Sequence, residues 1–177
     1  MPGTFARYRS ARHCNKCVPD APGGGTPPYA RFVGRTPRTE LPDGYFHAFS
    51  RGTGPMEIYR DADDFRTFER MLKAVARRFA WTVYAYCLMP THYHLIVEAR
   101  MERLSRGMHR LNGRYAKYFN KRHERKGALF QGRYHLRVVD SDEHLQRLGD
   151  YVPDNPVRAG LCNERAEWPF SWSAFDA

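Results

Sequence analysis

Two strand-like runs, Trp81 to Leu88 and His92 to Glu98, flank Pro90-Thr91, and the second carries histidines at positions 92 and 94. A proline between two β-prone runs makes a turn, so the segments pair as antiparallel strands. Side chains alternate faces along a strand. His92 and His94 therefore project from one side, roughly 6–7 Å apart along the backbone, while Tyr93, Leu95 and Val97 face a core. Two imidazoles held on one face make half of a metal site. Taken alone, the same pair also reads as two half-exposed strand histidines.

The neighbouring segments extend the pattern. Tyr45 to Ser50 reads as a first strand closed by Arg51-Gly52-Thr53-Gly54. Asp61 caps a helix whose apolar positions Phe65, Phe68, Met71, Leu72, Val75 and Phe79 recur at helical spacing. A second helix spans about Met101 to Arg122, with Leu104, Met108, Leu111, Tyr115 and Tyr118 on its inner stripe. Gln131 to Val139 reads as a fourth strand, and Ser141 caps a third helix carrying Leu145, Leu148 and Val152. The order β-α-β-β-α-β implies an α+β fold with a ferredoxin-like (RRM-like) antiparallel sheet, helices on one face and one further helix at the C-terminal end. On that expectation the open sheet face holds the two histidines. Residues 1–38, with Gly23-Gly24-Gly25 and Pro27-Pro28, read as a flexible leader, and residues 39–177 as a single domain.

Charge narrows the function. The net charge is +10 over 177 residues, and it is concentrated: residues 101–139 hold eleven Lys or Arg against Glu102 and Glu124. A dense basic block with interleaved aromatics suits a polyanion, most often nucleic acid. Arg106, Arg110, Arg114, Lys117 and Lys121 recur every three or four residues along the second helix and form one stripe. With Arg133 they are the candidate phosphate contacts. No apolar run approaches the ~18 residues of a membrane span, and the N-terminus lacks an apolar signal core. Cys14-x-x-Cys17 has no second cysteine pair to complete a zinc site. These features imply a cytoplasmic protein with reduced thiols.

Several segments resemble the single-tyrosine transposases, specifically the REP-associated tyrosine branch. They are Cys87 to Leu95, carrying a His-hydrophobic-His motif; Asp150 to Leu161 (Asp-Tyr-Val-Pro-Asp-Asn-Pro-Val-Arg-Ala-Gly-Leu); His47 with Arg51-Gly52; Gly127 to Tyr134; and Trp168 to Ser173. Each motif is weak alone, but their order along residues 38–175 is specific. Thr91 stands where this family commonly has Asn.

The resemblance implies an enzyme that cuts and rejoins single-stranded DNA near palindromic hairpins through a 5′-phosphotyrosine intermediate, associated with the bacterial nucleoid. It assigns Tyr151 as nucleophile, His92 and His94 as ligands of Mg²⁺ or Mn²⁺, and Asn155, four residues after the tyrosine, as third ligand. Some relatives are homodimers, which adds a second copy as an implied partner. Residues i and i+4 share a helical face, which suits that pairing. Pro153 interrupts the helix that would carry both residues; a kink there would shift Asn155 and bring Asp154 forward as oxygen donor. Two other functions fit parts of the pattern. One is a non-catalytic hairpin-DNA or RNA binder on the same sheet. The other is a zinc hydrolase, which lacks a His-Glu-x-x-His motif here; Glu98 lies four residues after His94.

Overall fold

The computed structural model describes residues 41–176; the expected leader and Cys14-x-x-Cys17 lie outside them. The elements are β1 (Gly44–Arg51), α1 (Ala62–Phe79), β2 (Thr82–Met89), β3 (His92–Ala99), α2 (Met101–Arg122), β4 (His135–Val139), α3 (Asp142–Arg158), a 3₁₀ turn (Arg165–Glu167) and β5 (Ser171–Ser173). They build one antiparallel sheet ordered β4-β1-β3-β2-β5. The first four positions follow the ferredoxin-like order; β5 extends the β2 edge.

Local chemistry sets the helix ends. The Asp61 carboxylate accepts from the amides of Asp63 and Asp64 at 3.0 and 3.1 Å, and Ala80 closes α1 in the left-handed region at φ 50°. Ser141 accepts from the His144 amide at 3.1 Å to start α3. Helix α2 has no side-chain cap of its own: the carboxylate of Asp43, just before β1, accepts from the Met101 amide at 2.9 Å. The Pro90-Thr91 turn is pinned from outside the hairpin. Its Pro90 carbonyl accepts from the Ile58 amide at 2.7 Å and its Thr91 carbonyl from the Gly52 amide at 2.8 Å.

Alternation along β3 sorts the molecule into two layers. Tyr93, Leu95 and Val97 are buried against α1 and α2; Tyr93 packs its ring 4.8 Å from that of Phe68 and donates its hydroxyl to Asn112 of α2 at 2.6 Å. Tyr115 reaches across to the Ile58 carbonyl at 2.6 Å. Trp81 lies so close to Gly107 that a Cβ there would fall 2.2 Å from its ring.

The opposite face differs from expectation. It is covered by α3, which packs against β2, β3 and β5, so every residue of β3 except Glu98 is buried. The histidines lie under a helix rather than on an open sheet. The fourth strand is also shorter than expected, because Phe130 bridges to Gly52 and Gln131 accepts from the Arg51 side chain before pairing with β1 begins. The C-terminal strand, unpredicted from periodicity, is held by Trp168 Nε1 donating to the Leu88 carbonyl at 3.0 Å and by Phe170 stacked 4.1 Å from Phe65.

Candidate active site

Strand register brings the imidazoles together. His94 stands between Phe49 of β1 and Cys87 of β2, and His92 between Arg51 and Met89. The two rings are 5.1 Å apart and nearly perpendicular. His92 is 8% exposed and His94 2%. Each has its Nδ1 engaged: that of His92 lies 3.1 Å from Thr91 Oγ1, and that of His94 lies 3.0 Å from Nε2 of a third buried histidine, His47. The Nε2 atoms of both His92 and His94 are buried without a hydrogen-bond partner. Two unpartnered polar atoms inside one small volume are costly unless something else meets them.

Electrostatics keep these rings neutral. Burial pushes His92 down to about 4, with the Arg51 guanidinium adding to the effect. Burial likewise lowers His47 to about 3, aided by Arg137 and His144. His94 is held well below the ordinary histidine range by burial, then by His92, His47 and Arg137. Neutral imidazole is the form that offers a lone pair to a cation.

Helix α3 supplies the other half. The Tyr151 ring lies 6.5 Å from that of His94, edge to face, and the Arg158 guanidinium lies over the Tyr151 ring at 5.1 Å. Asn155 is buried on the same side of the helix, one turn on. Pro153 and Pro156 both lie inside α3, which nevertheless runs unbroken to Arg158. Each proline removes the amide that would meet a carbonyl four residues earlier, here those of Gly149 and Val152. Both are met by side chains. Ser173 Oγ of β5 lies 3.5 Å from the Gly149 carbonyl, and Asn155 Nδ2 donates at 3.0 Å to Val152 and at 3.0 Å to Tyr151.

Carbonyl acceptors require the amide nitrogen, so the remaining heteroatom of Asn155 is its Oδ1. The helix continues past both prolines because β5 and Asn155 stand in for the lost bonds. Asp154, the alternative oxygen donor, is instead ion-paired with Arg165 at 2.5 Å. Glu98 sits at the far end of β3, accepting from the Tyr84 hydroxyl at 3.0 Å.

Thus His92, His94 and Tyr151 meet on one face of the sheet, with Asn155 buried one turn beyond Tyr151 on the helix that covers it. The basic stripe does not join them. Arg106, Arg110, Arg114, Lys117 and Lys121 are exposed on α2, which covers the opposite face, and Arg106 pairs with Glu102 at 3.4 Å. Arg106 and Arg110 join Arg78, Phe79, Ser105 and His109 around a surface depression of about 500 Å³. Arg133 is exposed in the segment before β4. The cations at the site are others: Arg51 and Arg137 act on the histidines, and Arg158 lies over the Tyr151 ring. Sequence reasoning passed over these and His47 as site residues, although His47 and Arg51 stand four apart on β1, an even spacing that puts both on one face of the strand.

Among the described residues no group of three or more His, Cys, Asp or Glu side chains is arranged to hold a metal ion. The donors that the motif resemblance assigns are two imidazole nitrogens and an amide oxygen. Its fit to a cation rests on the two orphaned Nε2 atoms and the neutral rings.

A protein-family model described as transposase IS200-like matches residues 57–155, from the segment before α1 to Asn155. This chain belongs to that transposase family. It is 24% identical over 120 residues to a Haemophilus influenzae protein named as a REP-associated tyrosine transposase, covering 62% of this chain and 68% of that one. A solved REP-associated tyrosine transposase bound to a REP hairpin shares the fold at TM-score 0.55 and 16% identity, over 74% of this chain and 77% of that one. The Haemophilus protein carries the name of the branch read from the motifs, and the solved structure agrees in fold. Among the described residues no helix is long and apolar enough to cross a membrane.

Proposed function

We infer that this transposase is a metal-dependent transesterase that cleaves and rejoins single-stranded DNA beside palindromic hairpins. The observation that carries the reading is the pair of buried, unpartnered Nε2 atoms of His92 and His94 beside Tyr151. A protein that only bound nucleic acid would gain nothing from the cost of burying them.

His92, His94 and Asn155 Oδ1 are the groups that would hold Mg²⁺ or Mn²⁺, leaving further coordination positions for phosphate oxygens and water. Such an ion, when bound, polarises the phosphoryl group and offsets negative charge on the leaving oxygen. The remaining steps belong to the protein. The Tyr151 oxygen attacks phosphorus in line; a phosphorus–oxygen bond forms to tyrosine as the bond to the 3′ oxygen breaks. That oxygen leaves with a proton as a 3′-hydroxyl, and the 5′ side stays on Tyr151 as a phosphodiester. The bond energy is retained, so the reverse attack by a 3′-hydroxyl reseals a strand without ATP.

A free phenol is scarcely ionised at neutral pH, and the Arg158 guanidinium, 5.1 Å from the centre of the Tyr151 ring, supplies positive charge on that side of the site. Arg51 and Arg137 give the same face a positive rim for the strand's phosphates. The hairpin as substrate rests on the motif resemblance and on the related transposase bound to a REP hairpin.

A cleavage assay tests the reading. Single-stranded DNA spanning a hairpin repeat near the gene is incubated with Mg²⁺, Mn²⁺ or a chelator. Cleavage that needs the cation and disappears in His92→Ala and His94→Ala is expected; equal cleavage with chelator present contradicts it.

A further inference from the structure

His47 lies in the middle of β1, paired with Ile96 on one side and Arg137 on the other. It is 3% exposed, and its ring is stacked 5.1 Å from that of His94 with 28° between the planes. It is no candidate ligand itself, because its Nε2 is taken up by His94 Nδ1 at 3.0 Å.

A neutral imidazole carries one N–H and one lone pair, so this hydrogen bond has two forms. In one, His47 Nε2–H donates and His94 is left with a proton on Nε2. In the other, His94 Nδ1–H donates and His94 Nε2 keeps its lone pair. Both forms leave one buried N–H and one buried lone pair unmet, at His94 Nε2 and His47 Nδ1. Only the second lets His94 bind a cation.

The partner of His92 cannot make the same choice. Thr91 Oγ1 both donates and accepts, so it tolerates either tautomer of His92. For His94 the two forms differ in consequence: an acceptor at His47 Nε2 is what leaves the His94 Nε2 lone pair free for a cation.

We propose that His47 is a positioning residue that accepts the Nδ1 proton of His94, fixing the tautomer and ring orientation in which His94 Nε2 offers its lone pair to a divalent cation. The inference rests on the reading of His94 as a ligand. It adds that the ligand is prepared by a neighbouring strand before any cation arrives. A partner on the far nitrogen of a ligating histidine both orients the ring and raises its basicity, and losing one typically costs 10–100-fold in metal affinity.

The test uses the full chain with labelled histidine. In metal-free wild-type protein, long-range proton–nitrogen correlations should show His94 protonated on Nδ1 and bare on Nε2. His47→Gln keeps an acceptor oxygen, whereas His47→Phe fills the space without one. Mn²⁺ affinity, read by electron paramagnetic resonance, should fall by about 10–100-fold in the Phe variant and be largely retained in the Gln variant, with thermal midpoints showing that both are folded.

His94 protonated on Nε2 in the wild type would overturn the proposal. So would a Gln variant that loses as much affinity as the Phe variant, or a folded Phe variant that binds Mn²⁺ like the wild type. If the wild type binds no Mn²⁺, the metal reading fails and the tautomer measurement still decides the role of His47. If the Phe variant does not fold, the wild-type tautomer and the Gln variant carry the decision.

Discussion

Asn155 Nδ2 lies 3.0 Å from the Val152 carbonyl, the one carbonyl of α3 whose helical donor Pro156 removes. A proline that should weaken the helix thereby fixes the rotation of an amide. With the nitrogen spent on the backbone, the oxygen is what Asn155 has left to offer.

Pro156→Ala restores a backbone amide to Val152 and competes with Asn155. One neutral hydrogen bond is worth about 0.5–1.5 kcal/mol, so the cation concentration for half-maximal cleavage should rise by roughly 2–10-fold. Thermal stability should hold or increase, since the helix regains a bond. Titrating Mn²⁺ against cleavage in both proteins checks this; an unchanged cation requirement means that the proline does not orient the amide.

The buried histidines give the metal-free protein a defined pH response. His92 titrates near 4 in the folded state, against an ordinary value of 6.5, and His47 and His94 are shifted the same way. Between those limits the unfolded chain binds more protons than the folded one, so stability falls as pH is lowered. Denaturation with chelator present should show full stability above about pH 6.5 and progressive loss toward about pH 4, shallower in His92→Gln. A flat profile across that window would mean that the rings are not buried in neutral form.

Gly149 and Phe175 tie the C-terminus to α3. A Cβ at Gly149 would fall 2.4 Å from the Phe175 ring, and the Phe175 amide donates at 3.1 Å to the Ser173 hydroxyl that covers the Gly149 carbonyl. Gly149→Ala should cost about 1–3 kcal/mol through overpacking. Adding Phe175→Ala should return part of that loss, because touching residues couple. Urea denaturation of the two single variants and the double variant measures the coupling; strict additivity would show that the ring does not stand against the helix.

The placement of the α2 stripe separates affinity from chemistry. Arg110→Ala with Arg114→Ala should weaken binding to hairpin and scrambled single strands alike. The dependence of log affinity on log salt should flatten by on the order of 0.7 for each phosphate left without its cation. Because the stripe lies across the sheet from Tyr151, cleavage at saturating DNA should be unchanged. Fluorescence anisotropy over a salt series and single-turnover cleavage check the two halves. Lost preference for one hairpin with an intact salt slope would move these arginines from the phosphates to the bases.

Much of this was legible because period-two and period-3.6 patterns survive in the chain. The β2–β3 hairpin, α1 with its Asp61 cap and α3 with its Ser141 cap follow directly from local chemistry. What local pattern could not show was which surface covers which. His92 and His94 read as residues of an open face because nothing in β3 announces that α3 folds over it. Pro153 read as a threat to the helix because its remedy, Ser173, is about twenty residues away on a three-residue strand too short for any periodicity. His47 is a single histidine in a strand, and only the β1–β3 register sets it against His94.

Identifying the residue that becomes joined to DNA tests the central claim most directly. Protein is incubated with a single-stranded hairpin substrate and Mg²⁺, digested with protease, and the nucleotide-bearing peptide is sequenced by mass spectrometry. A nucleophilic Tyr151 predicts a 5′-phosphate ester on that residue, absent from Tyr151→Phe while DNA binding persists and still formed by Tyr118→Phe. A covalent adduct that persists in folded Tyr151→Phe, or that maps to another residue, would contradict it.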